Sequence, residues 1–75
     1  MKMSDLQRKD VVNTSDGKII GRIIDVEINN ETGIIEDIII EKSRYLRSLF
    51  SADTLMNIKY KDIKKIGYDV VLIEL

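Results

Sequence analysis

Isoleucine fills fourteen of the 75 positions and alanine only one. Side chains branched at Cβ are crowded against the preceding turn of a helix but pack well on a pleated sheet. The chain is therefore built for strands. Turn signals break it at Ser15-Asp16-Gly17, at 29–33, at Lys42-Ser43 and at Gly67-Tyr68-Asp69. Five strand-like runs lie between them, at 11–14, 18–29, 33–41, 54–60 and 70–75. Ser4 and Gln7 have capping-box spacing, which predicts a helical turn over 4–8. Ile63 and Ile66, three apart, suit a 3-10 turn leading into a short sixth strand. Short strands this closely punctuated predict an all-β fold: a small antiparallel β-barrel of five to six strands with one helical or 3-10 turn, in which closure hides the sheet edges.

Alternation assigns the faces. Met56, Ile58 and Tyr60 point one way and Leu55, Asn57 and Lys59 the other, and Val26 and Ile28 alternate with Asp25 and Glu27. Ile20 and Ile23 are three apart across Gly21, so a bulge at that glycine would turn both inward. Gly17 and Gly33 are expected at positive φ in tight turns. Val12, Ile35 and Ile39 are expected in the core. That leaves Ile34, Ile38 and Ile40 on the opposite face, a surplus apolar strip that predicts self-association into a homo-oligomer.

The chemistry available is narrow. The chain has no Cys and no His, which excludes disulfides, thiolate metal sites and imidazole catalysis. Twelve basic residues face thirteen acidic ones, so no global field draws the protein to nucleic acid or lipid. Asp25, Glu27, Glu36, Asp37 and Glu41 occupy strand positions that read as solvated faces, and the four glycines are too scattered to cradle a phosphate. No catalytic, cofactor-binding or metal-binding residue is expected, and the protein is not expected to be an enzyme. No uninterrupted apolar run exceeds four residues, so no spanning helix is predicted. The charged opening lacks the apolar segment of a secretory signal, and a cytoplasmic location is expected.

One stretch stands apart. Residues 42–50 carry Lys42, Arg44 and Arg47 with no acidic residue, together with Tyr45, Leu46, Leu49 and Phe50. The segment is a candidate partner-binding loop, or else a cap folding its apolar side chains over one end of the barrel. An RNA- or ribosome-associated role, with the aromatics stacking on bases, is the alternative functional reading.

The order of motifs is specific. Ser4-Asp5-Leu6-Gln7 with Lys9-Asp10-Val11-Val12, then Asp16-Gly17-Lys18 with Ile20-Gly21, Ile23 and Asp25-Val26, resembles the opening of a PRC-barrel domain. Thr32-Gly33, Ile35 and Ile38-Ile39-Ile40 fit its next strands, and Ile58, Tyr60, Ile63, Ile66-Gly67 and Asp69-Val70-Val71-Leu72 its last part. The chain is similar to the short, free-standing YlmC/YmxH type found in spore-forming bacteria, and the resemblance covers nearly all 75 residues as a single domain. It implies a small β-barrel, no catalytic motif and an association with sporulation; the surplus apolar strip and the segment 42–50 together add the expectation of a non-enzymatic protein-interaction or adaptor role. A similar domain ends a bacterial ribosome-maturation factor and docks a ribosomal protein. Two departures stand out: Lys59-Tyr60 replaces a common Pro-Trp, and Arg44 and Arg47 occupy a loop that is often Gly-rich.

Overall fold

The computed structural model describes residues 1–49 and 53–75, with Leu49 by its backbone alone. Six strands follow a short helix: α1 (Met3–Gln7), β1 (Asp10–Asn13), β2 (Ile19–Ile28), β3 (Ile35–Lys42), α2 (Arg44–Leu49), β4 (Leu55–Lys59), a 3-10 turn (Tyr60–Asp62), β5 (Ile63–Ile66) and β6 (Val70–Ile73). They form one sheet in the order β4-β3-β2-β1-β6-β5. The architecture is the small barrel-like β-fold expected, with more helix than the sequence suggested.

Both hairpin turns form as the glycines require. Gly17 and Gly33 lie at φ 71° and 74°, where a Cβ would be strained. The second turn is fastened by Asn29, whose Oδ1 accepts the N–H groups of Glu31 at 2.8 Å and Thr32 at 3.1 Å. At Gly21 the constraint is proximity: a Cβ there would stand 2.1 Å from the Glu41 carbonyl oxygen on β3. Pairing of β1 with β2 slips at the same place, so Val11 faces Gly21 while Val12 faces Ile19. The bulge turns both Ile20 and Ile23 into the core, where each is fully buried.

Two further slips set the faces of β3. Ile23 pairs with Ile40 but Asp25 with Ile39, and Glu27 pairs with Asp37 but Ile28 with Ile35. Ile38 and Ile40 consequently point inward and are completely buried, against Val26 and Ile23 on one side and Ile58 and Met56 on the other. This corrects the expected self-association face of Ile34, Ile38 and Ile40. Two of the three belong to the chain's own core, and Ile34 alone is exposed. The sequence reading assumed unbroken alternation, whereas the extra residue Glu36 brings Ile35 round to the side of Ile38 and leaves Ile39 half-buried on the outside.

Three smaller expectations also change. Val11, not Val12, is the buried valine of β1. The β1–β6 pair is parallel, in an otherwise antiparallel sheet. The sheet does not close on itself: β4 and β5 are its two ends, and no ladder joins them among the described residues. The 3-10 turn and α1 lie at that seam, and Leu6 of α1 packs into the core there. The cap of α1 is likewise not the Ser4–Gln7 pair, because the Asp5 carboxylate accepts the Lys2 N–H at 2.9 Å.

The inverted faces give a direct test. Ile38→Ala should cost about 2–5 kcal/mol, since a partly relaxed cavity adds to the lost transfer energy. Ile39→Ala, half-buried outside, should cost about 1 kcal/mol. Urea unfolding of the two variants measures the difference, and equal costs would contradict the register described.

Candidate functional site

The basic segment 42–50 separates into structural and solvent-facing parts. Ser43 fixes it to β2: its N–H donates to the Ile20 carbonyl at 2.7 Å and its hydroxyl to that of Ile19 at 2.9 Å. The same hydroxyl oxygen accepts the Leu46 N–H at 3.2 Å, which caps the start of α2. The segment is thus a helical turn rather than a loop. Leu46 is buried in the core, as a barrel cap would be, and Lys42 is buried beside Gly21 of β2. Tyr45 is engaged from two sides, its hydroxyl donating to Asp16 Oδ2 at 3.1 Å while Lys18 Nζ stands 5.8 Å from the ring centre. Only Arg44 and Arg47 are exposed and lack an ion-pair partner among the described residues. Phe50 and the side chain of Leu49 lie outside the described residues.

A second surface was not legible as a site in the sequence. At the open seam α1, β2, β3, the 3-10 turn and β5 enclose a groove of about 380 Å³, lined mainly by Met3, Val26, Ile28, Ile35, Tyr60 and Ile66. Its walls continue the core outward: Met3, Val26, Tyr60 and Ile66 pack on buried residues, while Ile28 is more than half exposed. Lys2 stands at the rim. The only sequence signal was that Val26 and Ile28 keep inward parity past the end of the buried stretch. Five chain segments supply the lining, so no local motif marks it.

The helix walling this groove is lightly held. Gln7 Nε2 donates to the Ile24 carbonyl at 3.1 Å, and Arg8 pairs with Asp5 at 2.5 Å. The Lys2 N–H, with further help from Arg8, holds the Asp5 carboxyl below its ordinary value. That contribution to seating α1 is present above the ordinary carboxylate range and is lost as the pH falls through the lowered value. A second hollow beside α1, of about 350 Å³, is lined by Met1, Asp5, Arg8, Lys9, Tyr68 and Asp69. Lys9 is committed there to the Tyr68 carbonyl.

The outer face of β2, β3 and β4 carries the acidic row. Glu27 and Asp37 stand directly opposite each other, and Asn57 Nδ2 donates to both, at 3.2 and 3.3 Å. Lys59 Nζ lies 3.3 Å from Asp37 Oδ1. That oxygen is buried and accepts no hydrogen bond, so the ion pair is its compensation. Among the described residues no group of three or more metal-ligating side chains occurs.

The PRC-barrel domain matches residues 1–75, the whole length of this sheet and its two helices. The chain belongs to the PRC-barrel family. It is also 40% identical, over 75 residues, to the "Probable sporulation protein YlmC" of Bacillus subtilis (strain 168), covering all of this chain and 93% of that protein. The family resemblance read from the motifs is therefore correct. In this PRC-barrel no helix is long and apolar enough to cross a membrane, among the described residues.

The tether of α2 can be read spectroscopically. The hydrogen bond to Asp16, aided by partial desolvation and the Asp16 charge, raises the Tyr45 phenol above its ordinary value of 10.0. The tether is complete below that ordinary value and is lost as the pH rises through the raised one. In an ultraviolet titration the phenol removed by Tyr45→Phe should be one that ionises above the ordinary range. A missing phenol that ionises below pH 10.0 would contradict the contact.

Proposed function

We propose that this PRC-barrel is a non-enzymatic protein-interaction module, an adaptor that binds a protein partner through the apolar groove at its seam. The groove carries the proposal. Its lining is apolar, it opens to solvent beside Ile28, and exposed apolar surface of this kind commonly marks a binding site. Lys61 and Lys64 flank the lining residues Tyr60 and Ile66 along the chain, and both are exposed. A partner segment with apolar side chains edged by carboxylates has the matching chemistry. The printed name of the Bacillus relative supports a role in sporulation, and a cytoplasmic setting fits a chain without a long apolar helix. Self-association belongs to the same proposal, although the face first expected to mediate it is not available.

The alternative, an RNA- or ribosome-associated role, draws on Arg44 and Arg47. Against it, Leu46 is in the core, and the exposed Tyr45 is tethered through its hydroxyl to Asp16 with Lys18 beside its ring, so neither stands free for stacking. The test compares the native protein with Ile28→Asp, an exposed position where folding should survive. Affinity capture from lysate of the source organism should retain a partner that the variant loses while its thermal melt is unchanged. A partner retained equally by both would remove the groove from the proposal. Retention on RNA that falls steeply with salt and with Arg44→Ala/Arg47→Ala would favour the alternative instead.

A further inference from the structure

The two ends of the sheet are guarded differently. An edge strand presents unpaired N–H and C=O groups to any passing strand, and proteins commonly discourage this with charged side chains, lysine above all. At one end β5 carries Lys64 and Lys65, both exposed and neither with an ion-pair partner among the described residues. At the other end the only lysine of β4 is Lys59, and its charge is answered by Asp37. The remaining outward side chains of β4 are Asn57, held by Glu27 and Asp37, and Leu55, which is 47% exposed. The β4 edge is neutralised, while the β5 edge is protected.

The register of β4 fixes which groups it offers. Lys42 donates its N–H to the Thr54 carbonyl at 2.7 Å. Bonded pairs alternate along an antiparallel ladder, so Met56 and Ile58 bond to β3 while Leu55, Asn57 and Lys59 turn their backbone groups away from it. The Lys59 carbonyl opens the 3-10 turn, which leaves its N–H to the edge.

We infer that β4 is a self-pairing edge: two copies of the chain join through antiparallel β4 strands related by a two-fold axis at Asn57, making one sheet continuous across the pair. This rests on the self-association proposed above and is independent of the groove. Only this register uses all three outward residues of each strand. Asn57 exchanges both backbone bonds with its symmetry mate, and each Lys59 N–H donates to the opposite Leu55 carbonyl, about four bonds in all. Each Leu55 then lies against the aliphatic stem of the opposing Lys59. Beyond Lys59 the chain turns into the 3-10 helix, so the ladder ends at the Leu55–Lys59 pairs, and the two-fold operation makes those pairs equivalent.

Light scattering coupled to gel filtration at tens of micromolar should give about twice the monomer mass of 8.6 kDa. Asn57→Pro removes an N–H that β3 does not use, and Leu55→Lys sets two lysines opposite each other; both variants should be monomeric, and the second should fold as the native chain does. The chain has no Cys, so a single Asn57→Cys should oxidise to a covalent dimer, its Cα atoms about 5.5 Å apart. Leu55→Cys should cross-link only when mixed with Lys59→Cys. A native mass of one chain would overturn both this interface and the self-association behind it. A dimer that persists in Leu55→Lys, or an Asn57→Cys variant that does not cross-link, would overturn this interface and leave self-association to another surface.

Discussion

The contact between Gly21 and the Glu41 carbonyl determines where everything else in this sheet can go. Strands β2 and β3 approach so closely there that any side chain at Gly21 would meet the backbone of its neighbour. The same residue sits in the bulge against β1, and the bulge brings Ile20 and Ile23 to one side of a strand on which simple alternation would separate them. A long strand thereby bends instead of running flat, and β1 and β3 curve with it. The Ser43 bonds to Ile19 and Ile20 then place α2 over the end of that bend and carry Leu46 into the core.

The sequence made this part of the fold legible because its signals were local. Gly17 and Gly33 occupy turns that need positive φ, and the three-residue spacing of Ile20 and Ile23 across a glycine has few explanations other than a bulge. The face of β3 was not legible. Isoleucines occupy both parities of 34–40, so composition could not choose between them, and the choice depends on where Glu36 slips out of register with β2. The parallel β1–β6 pair was hidden for a related reason: Val11-Val12 and Val70-Val71 are apolar at consecutive positions, and nothing in either segment states a direction.

The candidate site followed the same division. The basic segment was conspicuous in the sequence, yet much of it is spent on structure, through Leu46, Lys42 and the tether of Tyr45 to Asp16. The groove was inconspicuous because it is assembled from the ends of five segments, each supplying one or two apolar side chains that read individually as ordinary core. It exists because the sheet leaves a gap between β4 and β5, which α1 and the 3-10 turn only partly fill. An open seam gives this PRC-barrel both an apolar hollow and two strand edges, features that a closed barrel would lack.

The pairing of β1 with β6 has a consequence in time. Asp10 meets Val70, and Asn13 meets Ile73, across sixty positions of chain. Until Val70–Ile73 emerges during synthesis, β1 has β2 on one side and nothing on the other, and β5 has no partner in the sheet at all. Bringing such distant segments together costs closure entropy before any contact offsets it, which slows folding in chains dominated by non-local pairs. The turns at Gly17 and Gly33 can organise the β1–β2–β3 meander early, because they are local. Completion waits on the last strand, so the nascent protein passes through an interval in which Val11 and the other inward residues of β1 are only half covered.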